Sequence, residues 1–205
     1  MITVKVIVSP VCILRTRLKG GSMKFKFAIG LVAALLIGVF ASTHAARAAS
    51  GPDIDADVEA TLARFSNQIG GANGLLRRAA GVLVFPSVVK AGMGFGGEYG
   101  EGALLVGGRT AAYYNTISAS VGFQLGVQAR SVIIVFMTDS ALNNFRRKNG
   151  WKVGVDGSVT VVTLGVGGSI DSNQIRRPVL AFILDQKGLM YNLTLEGSKI
   201  SRINR

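Results

Sequence analysis

An α+β domain is predicted: N-terminal helices followed by a strongly curved, mainly antiparallel β-structure with one inserted short helix. Three patterns carry this expectation. Ile54, Val58, Leu62, Phe65 and Ile69 recur at the three-to-four-residue spacing of one helix face. From Ile117 to Gln128 apolar residues alternate with Ser, Gly and Gln, the period of two that marks a half-buried strand. Between Gly81 and Gly102 there are seven glycines, six of them from Gly92 on, set in an apolar run. At that density backbone can pass close to backbone, so the segment reads as tightly bent β-structure and not as a linker.

The elements are taken in chain order. The first 48 residues carry seven of the 23 basic residues and no acid. Lys24 and Lys26 precede an apolar core from Phe27 to Phe40, and Ala46-Arg47-Ala48 supplies a small-x-small site, so residues 23–48 are expected to be a cleaved secretory signal peptide. The core is shorter than the ~20 residues that span a bilayer. Residues 1–22, ahead of Met23, are read as an upstream-start extension without a folded role. The only cysteine, Cys12, lies before the signal core, so neither a disulfide nor a lipoprotein anchor is expected in the remainder. Residues 49–205 should form a single exported domain, periplasmic or secreted, meeting membranes peripherally. It keeps sixteen basic against eleven acidic residues, a surplus of +5 that suits an anionic membrane surface.

Ser50-Gly51-Pro52 is a loop, and Asp53, Asp55 and Asp57 crowd the first turn of the helix that follows, where negative charge is favoured. Gly70-Gly71 ends it. A second helical piece runs from Asn73 to Ala80. After the bent segment and the alternating strand, Ser131–Met137 is nearly all apolar and should be covered on both faces. Thr138 or Asp139 caps a short helix through Ala141, Leu142 and Phe145 that ends in Arg146, Arg147 and Lys148, cations suited to a helix C-terminus. Strands are expected at Trp151–Val155, Val159–Val166, Val179–Leu184 and Leu189–Leu195, with Lys187-Gly188 turning a hairpin between the last two.

Several chemistries are excluded. The single histidine, His44, lies in the leader, so residues 49–205 hold neither His nor Cys, which removes Ser-His-Asp and Cys-His catalysis and His-based zinc sites. No cofactor, metal site or catalytic residue is implied. Gly92 to Gly97 matches the letters G-x-G-x-x-G, but nothing after it opens a helix, and no acid follows at the distance a ribose requires. Glu98 and Glu101 could be imagined as an acid/base pair, yet a spacing of three on a strand puts them on opposite faces unless a bulge intervenes. Each is better read as satisfying local donors or an arginine such as Arg109. Basic residues cluster at Arg77-Arg78, at Arg146-Arg147-Lys148 with Lys152, and at Arg176-Arg177. With Leu75, Leu76, Phe145 and Trp151 beside them, they suit phosphate contacts flanked by groups that sink into a headgroup layer. Nucleic acid is disfavoured, because aromatic residues are not interleaved with the basic ones.

The block VFPSVVKAG, then GGEYGEG, then SASVGFQLGVQ resembles the SYLF family of lipid-binding domains, and the resemblance extends from about Leu75 to the C-terminus. It implies a non-enzymatic module that binds anionic phospholipid headgroups, phosphoinositides in eukaryotic members, through a basic amphipathic helical segment. On this sequence that nominates Arg77 and Arg78 as headgroup contacts, Leu75 and Leu76 as the inserting side, and Lys90 as a further contact; Arg146, Arg147, Lys148 and Lys152 are candidates from the residues alone. A homo-oligomer would multiply weak contacts by avidity. The alternative is an envelope-associated structural or protein-interaction domain acting through the glycine-rich β-region.

Overall fold

The structure, a computed structural model, describes residues 49–205 except 163–167, 171–175, 189–194 and 196, and the side chains of these except at 93, 94, 120–125 and 188. The leader expected over residues 1–48 and most of the strand expected at Leu189–Leu195 lie outside the described residues.

The first helix, α1 (Gly51–Gln68), starts where proline and acid chemistry favour it. Ser50 donates its backbone N–H (3.1 Å) and its hydroxyl (2.5 Å) to the Asp53 carboxylate, occupying groups that the helix start would otherwise leave unpaired. Ile54, Val58, Phe65 and Ile69 are all buried, and the Phe65 ring lies 4.9 Å from that of Phe182. Gly71, at φ 83°, makes the left-handed turn into α2 (Ala72–Arg78). This helix stops two residues before its expected end, because Ala80 already donates its N–H to Phe136 in the sheet.

The next 56 residues form one antiparallel ribbon of β1 (Gly81–Val106) and β2 (Arg109–Phe136). Its turn is Gly107-Gly108, at φ 59° and 76°, the positive angles that a two-residue hairpin demands. A straight strand of this length would reach ~85 Å. Instead the ribbon folds back on itself with register shifts at Phe85/Val88, Met93/Phe95 and Leu104/Leu105. The glycine-rich block makes the fold-back feasible. A Cβ on Gly102 would sit 1.9 Å from the Val84 carbonyl oxygen, one on Gly100 2.9 Å from that of Ser87, and one on Gly92 2.6 Å from that of Phe95. None of these three glycines has a positive φ; close approach of backbone is what selects them.

The strongly curled mixed sheet has the order β3-β6-β2-β5-β4, with β1 also paired to β2. Its remaining strands are β3 (Trp151–Lys152), β4 (Thr160–Val162), β5 (Val179–Gly188) and β6 (Lys199–Ile203); only β4–β5 is parallel among the named pairs. Lys187 and Gly188 do not form a turn: they continue β5 opposite Ala129 and Gln128. Between β2 and β3 lies α3 (Asp139–Arg147), with the Thr138 hydroxyl accepting from the Ala141 N–H at 3.2 Å, so that of the two expected caps, Thr138 and Asp139, Thr138 takes the role.

Two cores cover the two faces of the sheet. On the outer face α1 and α2 pack over Val82, Val84, Ala103, Ile133, Val135, Leu180 and Phe182. On the inner face α3, Trp151 and Ile200 pack over Leu83, Phe85, Leu104, Val132, Ile134 and Phe136. The run expected to be covered on both faces is therefore covered on both. The alternating segment from Ile117 behaves differently. Its apolar positions with described side chains, Ile117, Ala119 and Val127, are exposed, while Thr116 and Gln128 are buried.

Candidate functional site

The α2 segment divides its four nominated residues by direction. Leu75 is fully buried in the outer core, so it anchors the helix and cannot enter a membrane, a correction to its expected inserting role. Leu76 is half-buried, and Arg77 and Arg78 are exposed. Arg78 donates from Nε to the Gly74 carbonyl at 3.2 Å, where a cation offsets the helix C-terminal dipole. Leu76 and Arg77 border a groove of about 410 Å³ whose other walls are Leu62, Val82, Leu105 and the Gly107-Gly108 turn. This groove is apolar at its base with one guanidinium at its rim.

Lys90 is only 7% exposed and points to the inner face of β1, paired in register with Gln128, whose buried amide has no hydrogen-bond partner among the described residues. The alternation of β1 turns it inward, so Lys90 is not available at the surface as a headgroup contact. Arg146, Arg147 and Lys148 are exposed at the end of α3, on the face opposite to α2, so these cations and those of α2 do not share one face. Lys148 donates to the Asp156 carboxylate at 2.6 Å, and the Lys152 backbone N–H donates to the same carboxylate at 2.7 Å. These bonds hold the Asp156 carboxyl below its usual range. The Lys152 side chain, by contrast, stands on the outer face: it pairs with Lys199, which pairs with Ile117, which pairs with Tyr99, and all four are exposed.

The two glutamates are kept apart. Glu98 points inward and Glu101 outward, as a spacing of three on an unbulged strand requires. Glu98 is 6% exposed and accepts from Arg130 Nη2 through both oxygens at 2.9 Å; Glu101 accepts from Tyr99 and Arg205. Their arginine partners are Arg130 and Arg205 rather than Arg109. Glu98 and Glu101 therefore do not flank one bond as a carboxylate pair. The G-x-G-x-x-G letters lie within β1 and open no helix. Among the described residues no group of three or more acidic, His or Cys side chains could hold a metal ion, and no helix is long and apolar enough to cross a membrane.

The described surface thus combines a curled sheet with exposed cations, a shallow apolar groove and acids that are salt-bridged rather than juxtaposed. Residues 117–204 match the model of the Ysc84 family, described as Las17-binding protein actin regulator, in agreement with the SYLF resemblance of the sequence. No curated protein matches the chain.

Proposed function

We propose that this protein is an exported module that binds anionic phospholipid headgroups at a membrane surface without catalysing a reaction. The single observation that carries this reading is α2. Its buried Leu75 fixes a short basic helix so that Arg77 and Arg78 face solvent beside the half-buried Leu76 and the apolar groove. Guanidinium groups suit phosphate, and the adjoining groove can receive the first carbons of a lipid chain. At about 1 kcal/mol per basic residue near an anionic surface, two arginines give weak attachment, so other contacts or avidity must add to them. The signal peptide expected from the sequence over residues 23–48 supports the reading of export. The glycine-rich block, the basis of the alternative reading as a protein-pairing region, is occupied with its own backbone at Gly92, Gly100 and Gly102.

Co-sedimentation with phosphatidylcholine vesicles containing phosphatidylglycerol tests the reading. Arg77→Glu with Arg78→Glu should weaken binding by about tenfold or more, and wild-type binding should fall steeply with ionic strength. Equal binding of variant and wild type would remove α2 from the mechanism.

A further inference from the structure

The outer face of the β1–β2 ribbon beyond the helices carries a strip of exposed apolar side chains. Val89 (43% exposed), Phe95 (76%), Tyr99 (47%), Ile117 (49%) and Val127 (61%) all point to this one face. Ser87, Ala91, Gly97, Ala119 and Ala129 are the small residues between them, and no charged residue interrupts these positions. Five large apolar side chains exposed along one face are more than scattered surface hydrophobics and mark a contact. Both ends of the strip are cationic. At one end the cross-strand row Tyr99, Ile117, Lys199, Lys152 passes from apolar to basic; at the other the row is Val89, Ala129, Lys187. Lys187 and Lys199 make no ion pair among the described residues. Beside Lys187 lies a recess of about 340 Å³ bordered also by Arg64, Ser87 and Asp185, in which Arg64 and Lys187 outnumber the one acid. Glu101, which adjoins Tyr99 on this face, is neutralised by Arg205.

We infer that this strip is a second membrane-docking surface, in which Phe95 and its neighbours enter the interface of an anionic bilayer while Lys187, Lys199 and Lys152 lie against the phosphates. The inference rests on the proposed affinity for anionic lipid but assigns it to a surface separate from α2. Apolar centre and basic ends match a bilayer interface, whose acyl boundary lies beneath a negative headgroup layer. A second copy of this chain would bring the same lysines to the contact without an acid on the strip to meet them.

The experiment uses Phe95→Trp. The only native tryptophan, Trp151, is 2% exposed and supplies an internal control. With phosphatidylglycerol vesicles containing brominated phosphatidylcholine, fluorescence of the full chain with Phe95→Trp should be quenched, that of wild type unchanged. Lys187→Glu with Lys199→Glu should weaken vesicle binding by about tenfold or more at low salt. If wild type binds the vesicles but Phe95→Trp is not quenched, the strip is not inserted and this inference falls while the lipid reading stands. If wild type does not bind at all, both fall. If Phe95→Ser instead dissolves a dimer and leaves vesicle binding unchanged, the strip is a contact between copies and the inference is overturned.

Discussion

Gly102→Ala is expected to be among the most damaging single-methyl additions to this fold. The new carbon would sit 1.9 Å from the Val84 carbonyl oxygen, where ordinary contact begins near 3.4 Å, so two lengths of backbone must part by about 1.5 Å, the difference between those distances. Overpacking costs ~1–3 kcal/mol when flexible side chains can yield. Here the obstacle is a carbonyl in a strand paired with β2, and the cost should reach or exceed ~3 kcal/mol, a large part of the ~5–15 kcal/mol that stabilises a domain. Gly97→Ala, five residues away on the same strand, meets nothing within 4 Å and has no positive φ, so it should be neutral or stabilising by up to ~1 kcal/mol through the unfolded chain. Urea unfolding followed through Trp151 fluorescence gives both midpoints. A wild-type midpoint for Gly102→Ala, or equal losses for the two variants, would refute the claim that close backbone approach dictates this glycine.

Glu98→Gln removes the carboxylate from a guanidinium that is 3% exposed, and breaking such a buried pair should destabilise by ~3–5 kcal/mol in the same unfolding assay. Thr138→Ala deprives the α3 N-terminus of its acceptor for the Ala141 N–H and should cost ~1 kcal/mol, again read from the unfolding midpoint. The Asp156 carboxyl is held low by hydrogen bonds from Lys148 and the Lys152 N–H, so its folded value lies below the ordinary 3.8. Its stabilising contribution is therefore full above about pH 4 and lost as pH falls through the folded value, and Asp156→Asn should flatten that part of an acid-unfolding curve measured by circular dichroism.

Much of the helical structure was legible because it is local. The face of α1 follows from a period that only a helix can bury, and the α3 cap is narrowed to Thr138 or Asp139 by their place just before the apolar turn. The family resemblance was legible in three blocks, of which SASVGFQLGVQ (Ser118–Gln128) lies within the match over residues 117–204 and the glycine-rich ones lie ahead of it. What the alternation could not show is direction. Period two states that Ile117 and Val127 share a face, but the inner face is already filled by contacts such as Glu98 with Arg130, and the apolar set is turned outward. The same ambiguity hides Lys90, which looks like a surface cation until strand parity places it inside. Leu75 and Leu76 are adjacent and chemically alike; only the packing of α2 against the sheet separates an anchor from an exposed edge. The Gly107-Gly108 turn carried a readable signal, two glycines between strand-forming runs, whereas Lys187-Gly188 imitates one inside β5 because a glycine can also continue a strand.

The sheet order places residues 199–203 between β2 and β3, so Tyr113–Ile117 find one of their partners far along the chain. Such distant pairings close large loops before they return any energy, and proteins dominated by them reach the native state in milliseconds to seconds rather than microseconds. Until β6 docks, β3 has no neighbour and one flank of β2 stays open, an invitation to mispairing with another nascent chain. Refolding yield should accordingly depend on protein concentration more strongly than the size of the domain suggests.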